Sequence, residues 1–70
     1  MTFDLSTFVG RLLYARTRKG WSQKELADHL GCFASRISTW ERGRKPRDAN
    51  KLASTLGVRV DWLLLGSGEM

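Results

Sequence analysis

Residues 22–43, SQKELADHLGCFASRISTWERG, decide the fold of this chain. They contain the clearest helix start in the sequence, because Ser22 and Glu25 form a capping-box pattern in which each side chain accepts a hydrogen bond from the other residue's backbone amide. A helix is therefore predicted from this start to Gly31, and a second helix is predicted over about residues 33–42. Since only a short turn separates the two helices, Gly31 is expected in the left-handed conformation, which lets the chain reverse.

Apolar residues at helical spacing predict how these two helices pack together. Ala27 is small enough for the second helix to approach the first closely, and Ile37 and Trp40 face it from the second helix. The expected motif core comprises Leu26, Ala27, Leu30, Gly31, Cys32, Ile37 and Trp40. Two helices joined by so short a turn are typical of a helix-turn-helix, in which the second helix enters the major groove of DNA.

Three further helices are predicted from similar start and stop signals. They run from a cap at Ser6 or Thr7 to about Lys19, from a cap at Asp48 to Leu56, and from about Val60 to Leu65. No stretch alternates between apolar and polar residues for long enough to indicate a sheet. The predicted fold class is all-α: a compact five-helix bundle in a single domain 1–70, with its core at about 6–66 and a short C-terminal tail at 67–70.

Composition argues against several classes of site. With 70 residues, one cysteine and one histidine, the chain forms no internal disulfide and gathers too few ligands for a structural zinc site. Cys32 is expected to pack in the core, and His29 to lie on a helix surface. No nucleophile–base pair, pair of catalytic carboxylates or phosphate-binding glycine loop is recognisable. We therefore expect no metal, no cofactor, no small-molecule ligand and no enzymatic activity.

The chain is expected to be cytoplasmic. Its longest apolar run, residues 62–65, is far shorter than the about 20 residues that a membrane span needs. Asp4 stands where a secretory signal carries a basic residue. No membrane partner is therefore expected.

Basic residues are clustered along the chain. Twelve lysines and arginines against seven acidic residues give a net charge of +5. One cluster comprises Arg11, Arg16, Arg18 and Lys19, and a second comprises Arg42, Arg44, Lys45 and Arg47. Such clusters favour a polyanion as partner, although charge alone is equally compatible with a solvated basic surface.

Several short fragments in a fixed order add a family resemblance. They are QKELA at 23–27, LG at 30–31, IS at 37–38, WERG at 40–43, LGV at 56–58 and DWLL at 61–64. Together they resemble the lambdoid phage repressor and Cro family of XRE-type helix-turn-helix domains. The resemblance implies the five-helix fold, and the short chain is more similar to the Cro-like members than to the two-domain repressors.

The DNA contacts are predicted from helix geometry and from the resemblance. With Ile37 at the centre of the buried face, a rotation of about 100° per residue turns Ser35, Thr39 and Arg42 outward. The residues expected to contact base edges are Ala34, Ser35, Arg36, Ser38 and Thr39, of which Ala34 is implied by the resemblance alone. The residues expected to contact phosphates are Gln23, Lys24, Arg42, Arg44, Lys45 and Arg47, with Gln23 assigned through the resemblance.

Two more residues are interpreted through the resemblance. A carboxylate at Glu41 implies a structural ion pair with Arg16, near the end of the first helix. Phe33 stands where the family usually places a capping serine or threonine. Because it precedes Ile37 by four residues, we expect Phe33 to pack inward, with a contact to DNA as the alternative.

The predicted function is that of a Cro-like repressor. We expect a sequence-specific regulator that binds a near-palindromic double-stranded operator as a homodimer, with Leu64, Leu65 and Arg59 as the possible dimer contact. Two alternatives belong to other classes: the antitoxin of a toxin–antitoxin pair, which binds a partner protein as well as DNA, and a helical protein-interaction domain without DNA binding. The second would favour acidic or bulky apolar residues on the outer face of the recognition helix, and Ser35 and Arg36 are neither.

Overall fold

The five predicted helices are present in the structure, a computed structural model that describes residues 3–70. They are α1 (Phe8–Lys19), α2 (Gln23–Leu30), α3 (Ala34–Glu41), α4 (Asn50–Leu56) and α5 (Val60–Leu65). The described residues contain no strand, so the all-α prediction is confirmed. Among these residues, no helix has both the length and the apolar character required to cross a membrane.

The capping box forms as the sequence predicts. The Ser22 hydroxyl accepts from the Glu25 amide at 3.1 Å, and the Ser22 amide donates to the Glu25 carboxylate at 2.9 Å. The hydrogen bond from the Ser22 backbone lowers the pKa of Glu25, because it stabilises the charged form. At the start of α1, Thr7 rather than Ser6 is the cap, and its hydroxyl accepts from the Gly10 amide at 3.0 Å.

Two predicted helix boundaries are wrong by about one residue. The cap of α4 is Ala49 and not Asp48; the Asp48 carboxylate instead accepts from the Asn50 amide at 3.0 Å, two residues on. α3 ends at Glu41, one residue before the predicted end at about residue 42; Arg42 is the cap, and Gly43 follows it with a φ of 113°. Both boundaries adjoin the connection between α3 and α4, and a propensity pattern does not fix the terminal residue of a helix beside an irregular segment.

One fully buried apolar side chain from each helix forms the centre of the core. These five side chains are Leu12, Leu26, Ile37, Leu52 and Leu63, all below 2% exposure. Burying each one stabilises the fold by about 1.5–3 kcal/mol relative to leaving it in water. Ile37 is the side chain through which α3 joins this core, and α3 packs mainly against α2 and α1.

Gly10 and Arg11 connect α1 to the two ends of the chain. A Cβ on Gly10 would lie 1.7 Å from the Asp4 carbonyl oxygen, so only glycine lets the N-terminal segment cross this close to α1. Arg11 is 4% exposed and donates to the carbonyls of Leu5, Leu63 and Leu64 at 2.9, 2.9 and 3.1 Å. Its inclusion in a basic surface cluster is therefore wrong, because its guanidinium is used inside the fold.

Candidate nucleic-acid interface

The turn between α2 and α3 positions the candidate interface. Gly31 adopts the left-handed conformation with a φ of 74°, and the Cys32 amide donates back to the Ala27 carbonyl at 3.0 Å. This pattern satisfies carbonyls at the end of α2 and redirects the chain into α3. Of the predicted motif core, Leu26, Ala27, Leu30 and Ile37 are buried, while Cys32 and Trp40 are half-buried against the same core.

The outer face of α3 carries the residues predicted to contact bases. Ser35 and Arg36 are exposed, and Ala34, Ser38 and Thr39 are half-buried. The Thr39 hydroxyl donates to the Ser35 carbonyl at 3.0 Å, which leaves its methyl group for an apolar contact. Ser38 accepts from the Arg42 guanidinium at 3.3 Å. The face therefore presents one arginine, small hydroxyl groups and methyl groups.

Basic side chains surround this face on the connection between α3 and α4, residues 42–49, which we call the linker. Arg42, Arg44, Lys45 and Arg47 are all exposed. A groove of about 650 Å³ runs between α3 and the linker. It is lined on the α3 side by Ser35, Arg36 and Thr39, and on the linker side by Arg44, Lys45 and Arg47. Residues predicted to contact bases and residues predicted to contact phosphates therefore share one concave surface.

Lys24 stands apart from the linker cations. It is exposed in the first turn of α2 and forms an ion pair with Asp28 at 3.0 Å, one helical turn away. An exposed pair of this kind is worth only a few tenths of a kcal/mol in a helix. A phosphate therefore competes with Asp28 for Lys24 at little cost.

Glu41 is the centre of a hydrogen-bond network that joins α1, α2 and α3. Arg16 donates to both of its carboxylate oxygens, at 2.7 and 3.2 Å, and donates to the Trp21 carbonyl at 2.9 Å. Gln23 donates from its side-chain amide to Glu41 at 2.9 Å. The two charged side chains are only 17% and 9% exposed. The arrangement neutralises a carboxylate at the end of α3, where the helix dipole disfavours it.

The same network determines what Gln23 offers to a ligand. One N–H of its side-chain amide is used by Glu41, and a glutamine amide carries two N–H groups. Gln23 is the first residue of α2, where backbone amides have no partner within the helix. The remaining N–H is therefore fixed next to a helix N-terminus, an environment that favours an anion.

Phe33 corrects one prediction. It is 82% exposed and does not pack inward. It is the N-cap of α3 with an extended backbone, φ −84° and ψ 147°, and makes no side-chain capping hydrogen bond. The rule that residues four apart share a face applies only within a helix, and Phe33 precedes the first helical residue.

The residues proposed for a dimer contact lie on α5 and in the turn before it. Leu65 is 72% exposed, Leu64 is half-buried and Arg59 is exposed, whereas Trp62 and Leu63 belong to the monomer core. Leu5, which the sequence did not single out, is 43% exposed, and its carbonyl accepts from Arg11, which also binds α5.

His29 is exposed and stacks on Trp21 at 4.0 Å, and the described residues include no cluster of potential metal ligands.

Comparisons with known proteins agree with this geometry. A family model described as helix-turn-helix matches residues 12–63, which include all of α2 and α3. The chain is similar to the SPbeta prophage-derived uncharacterized HTH-type transcriptional regulator YonR of Bacillus subtilis (strain 168), with 40% identity over 63 residues. The match covers 86% of this chain and 58% of that protein. The chain thus spans less than two thirds of its relative's length.

Proposed function

The chain belongs to the helix-turn-helix family, and on that premise we propose that it is a sequence-specific, double-stranded DNA-binding transcriptional regulator of the Cro-like repressor type. The observation that carries the proposal is the groove that unites Arg36, Ser35 and Thr39 of α3 with three cations of the linker. A base-contacting helix flanked by phosphate-contacting cations is what major-groove recognition requires. The relative's name, which describes a prophage-derived regulator, supports the same role.

In the proposed complex, α3 lies in the major groove. Arg36 donates to the O6 and N7 atoms of guanine, Ser35 and Ser38 hydrogen-bond to base edges, and the methyl groups of Ala34 and Thr39 contact thymine methyls. Phosphates are held by Gln23 and Lys24 at the start of α2 and by Arg42, Arg44, Lys45 and Arg47 on the linker. Because Glu41 holds the Gln23 side chain, this phosphate contact is oriented before DNA binds.

Repression then follows from occupation of an operator, without enzymatic activity. The domain measures 28 × 27 × 20 Å, and half-sites on one face of a duplex lie about 34–36 Å apart. Two copies on adjacent half-sites would therefore lie within side-chain reach of each other, which supports a homodimer on a near-palindromic operator. Leu64, Leu65 and Arg59 are proposed as its contact. We place the protein in the cytoplasm of a bacterium, as a phage or prophage regulator.

The test compares binding to the DNA upstream of the protein's own gene with binding to random duplex DNA, across a series of salt concentrations. We expect much tighter upstream binding that weakens steeply as salt rises. Arg36→Ala should reduce the upstream preference by about 5- to 150-fold, because a bidentate arginine–guanine contact discriminates by about 1–3 kcal/mol. The matched control is Arg18→Ala. It removes an exposed arginine in the last turn of α1 and should leave the preference for upstream DNA unchanged.

Two outcomes would contradict the proposal. Equal, weak binding to both DNAs would reduce the interaction to its electrostatic part. No binding to either DNA would favour the protein-interaction alternative. The antitoxin alternative, which binds DNA as well as a partner protein, would instead be identified by co-purification with the product of a neighbouring reading frame.

A further inference from the structure

Phe33 is unusual for a residue at the start of a helix in two respects: its apolar ring is exposed, and its side chain cannot cap the helix. Its ring is 82% exposed, more than any other large apolar side chain among residues 3–70. Its position is the N-cap of α3, where an apolar side chain leaves helix amides without the partner that serine, threonine or aspartate would supply. Neither the core nor the capping of α3 therefore explains an aromatic residue here.

The surroundings of Phe33 restrict its partner. The ring lines the groove between α3 and the linker, whose other lining residues include the cations Arg36, Arg44, Lys45, Arg47 and Lys51 and one acidic residue, Asp48. A purely apolar protein surface would be a poor occupant, because it would take these cations out of water without pairing them. A suitable occupant is an anion that also presents apolar groups. Duplex DNA meets both conditions, since its phosphates pair with the cations and its major groove contains the C5-methyl groups of thymines.

The position of Phe33 in the helix-turn-helix points to the same ligand. In this motif the N-terminal residues of the recognition helix are those that contact base edges. Phe33 immediately precedes Ala34, the first residue of α3, and is exposed on the side of the groove. An aromatic ring there extends the base-contacting surface by one residue beyond the helix itself.

We propose that Phe33 is a specificity-determining residue that contacts the C5-methyl group of one thymine in each operator half-site, at the base pair facing the N-terminal end of α3. This inference rests on the proposed function, because it requires a sequence-specific complex. It adds an apolar contact to the hydrogen bonds of Arg36 and Ser35. Phe33 thereby selects thymine over cytosine, which lacks the methyl group.

The experiment replaces each thymine of the operator, one at a time, by deoxyuridine, which removes only the C5-methyl group. Affinity is measured for the wild type, for Phe33→Ala and for Leu5→Ala, a control that truncates an exposed apolar side chain outside the proposed DNA and dimer contacts. For the wild type we expect that replacing the thymine at the N-terminal end of α3 in each half-site, besides any thymine contacted by Ala34 or Thr39, weakens binding about fourfold, the effect of leaving one buried methyl group without its contact. Phe33→Ala should bind normal DNA more weakly by at least this factor and be insensitive to uracil at that position. Leu5→Ala should keep the sensitivity.

The pattern across positions separates Phe33 from its neighbours and from the general function. A thymine methyl contacted by Ala34 or Thr39 should remain sensitive in Phe33→Ala. The proposal is overturned if the wild type tolerates uracil everywhere, or if Phe33→Ala keeps the full wild-type sensitivity. Upstream preference that persists in those cases would preserve the proposed function while rejecting the role of Phe33, whereas loss of all preference in the wild type would reject both. Because the ring is exposed, the urea midpoint of Phe33→Ala should equal that of the wild type.

Discussion

At the scale of single residues, Glu41 links the fold to the candidate interface. Its carboxylate accepts hydrogen bonds from Arg16 and Gln23, which lie at the end of α1 and the start of α2. The pair with Arg16 is bidentate and largely shielded from water, so both its geometry and its environment favour a strong interaction. Removal of either partner would leave a poorly solvated charge.

We expect Arg16→Met and Glu41→Gln each to lower the free energy of unfolding by about 3 kcal/mol, the lower end of the range for buried pairs. The double mutant should lose less than the sum of the two, since neither charge is then left alone. Urea denaturation of the four proteins measures this coupling. The Lys24–Asp28 pair, which is exposed, provides the control and should couple by less than about 0.5 kcal/mol.

Additive losses at Arg16 and Glu41 would contradict a direct interaction. The network also predicts an effect on DNA, because Glu41→Ala removes the oxygen that accepts from Gln23 and so loosens the orientation of Gln23. An affinity loss that is equal for upstream and random DNA is expected, since a phosphate contact carries no sequence information.

At the scale of elements, α1 shows why a local pattern can be incomplete. Gly10 lies in the first turn of this helix, and within a helix glycine is about 1 kcal/mol less favourable than alanine. The explanation is a contact with Asp4, whose carbonyl oxygen occupies the space of a Cβ. The N-terminal segment and α1 are thus packed backbone to backbone.

Gly10→Ala should therefore lower the free energy of unfolding by about 1–3 kcal/mol, as overpacking does, despite the better helix propensity of alanine. The control repeats the substitution in a chain that lacks residues 1–4, which removes Asp4 but keeps the Leu5 carbonyl. There the sign should reverse, and alanine should stabilise by up to about 1 kcal/mol. Thermal or urea unfolding measures the stability of the four proteins, full-length and truncated, each with and without Gly10→Ala. Stabilisation by Gly10→Ala in the full chain would contradict the close contact between Asp4 and α1.

The sequence predicts those elements whose signals are local. The capping box at Ser22 and the left-handed turn at Gly31 follow from residue types at fixed spacing, and both are observed. Gly10 and Arg11 could not be interpreted in this way, because their partners at Asp4 and Leu63 come from other segments of the fold. The prediction that Phe33 packs inward was wrong for a different reason: it applied helical spacing to a residue that lies just outside the helix.

At the scale of the whole molecule, the net charge of +5 does not show where the positive charges lie. Some of them are used inside the fold, and others are concentrated on one surface. Arg11 is buried against three carbonyls and Arg16 is paired with Glu41, so neither is free for a ligand. The exposed linker, by contrast, carries four cations within six residues. Composition alone indicates a polyanion as partner. The fold then determines which of the positive charges face outward and are available to that partner.

Two substitutions of the same chemical type test this division of charge. Arg44→Gln and Arg11→Gln each remove one positive charge, but Arg44 is exposed on the linker while Arg11 is 4% exposed. The logarithm of DNA affinity should fall less steeply with the logarithm of salt concentration for Arg44→Gln, by about 0.9 for one lost phosphate contact. Its free energy of unfolding should be unchanged, because an exposed linker side chain stabilises nothing.

Arg11→Gln should behave in the opposite way. Its salt slope should equal that of the wild type, because the buried guanidinium meets no phosphate. Its free energy of unfolding should fall by about 1.5–3 kcal/mol or more, since three carbonyls lose a charged donor. Both quantities come from fluorescence titrations with duplex DNA at several salt concentrations and from urea denaturation. If the two variants lowered the salt slope equally, the binding surface would extend to the end of the molecule where α1 meets α5, and the linker groove would no longer account for the interface.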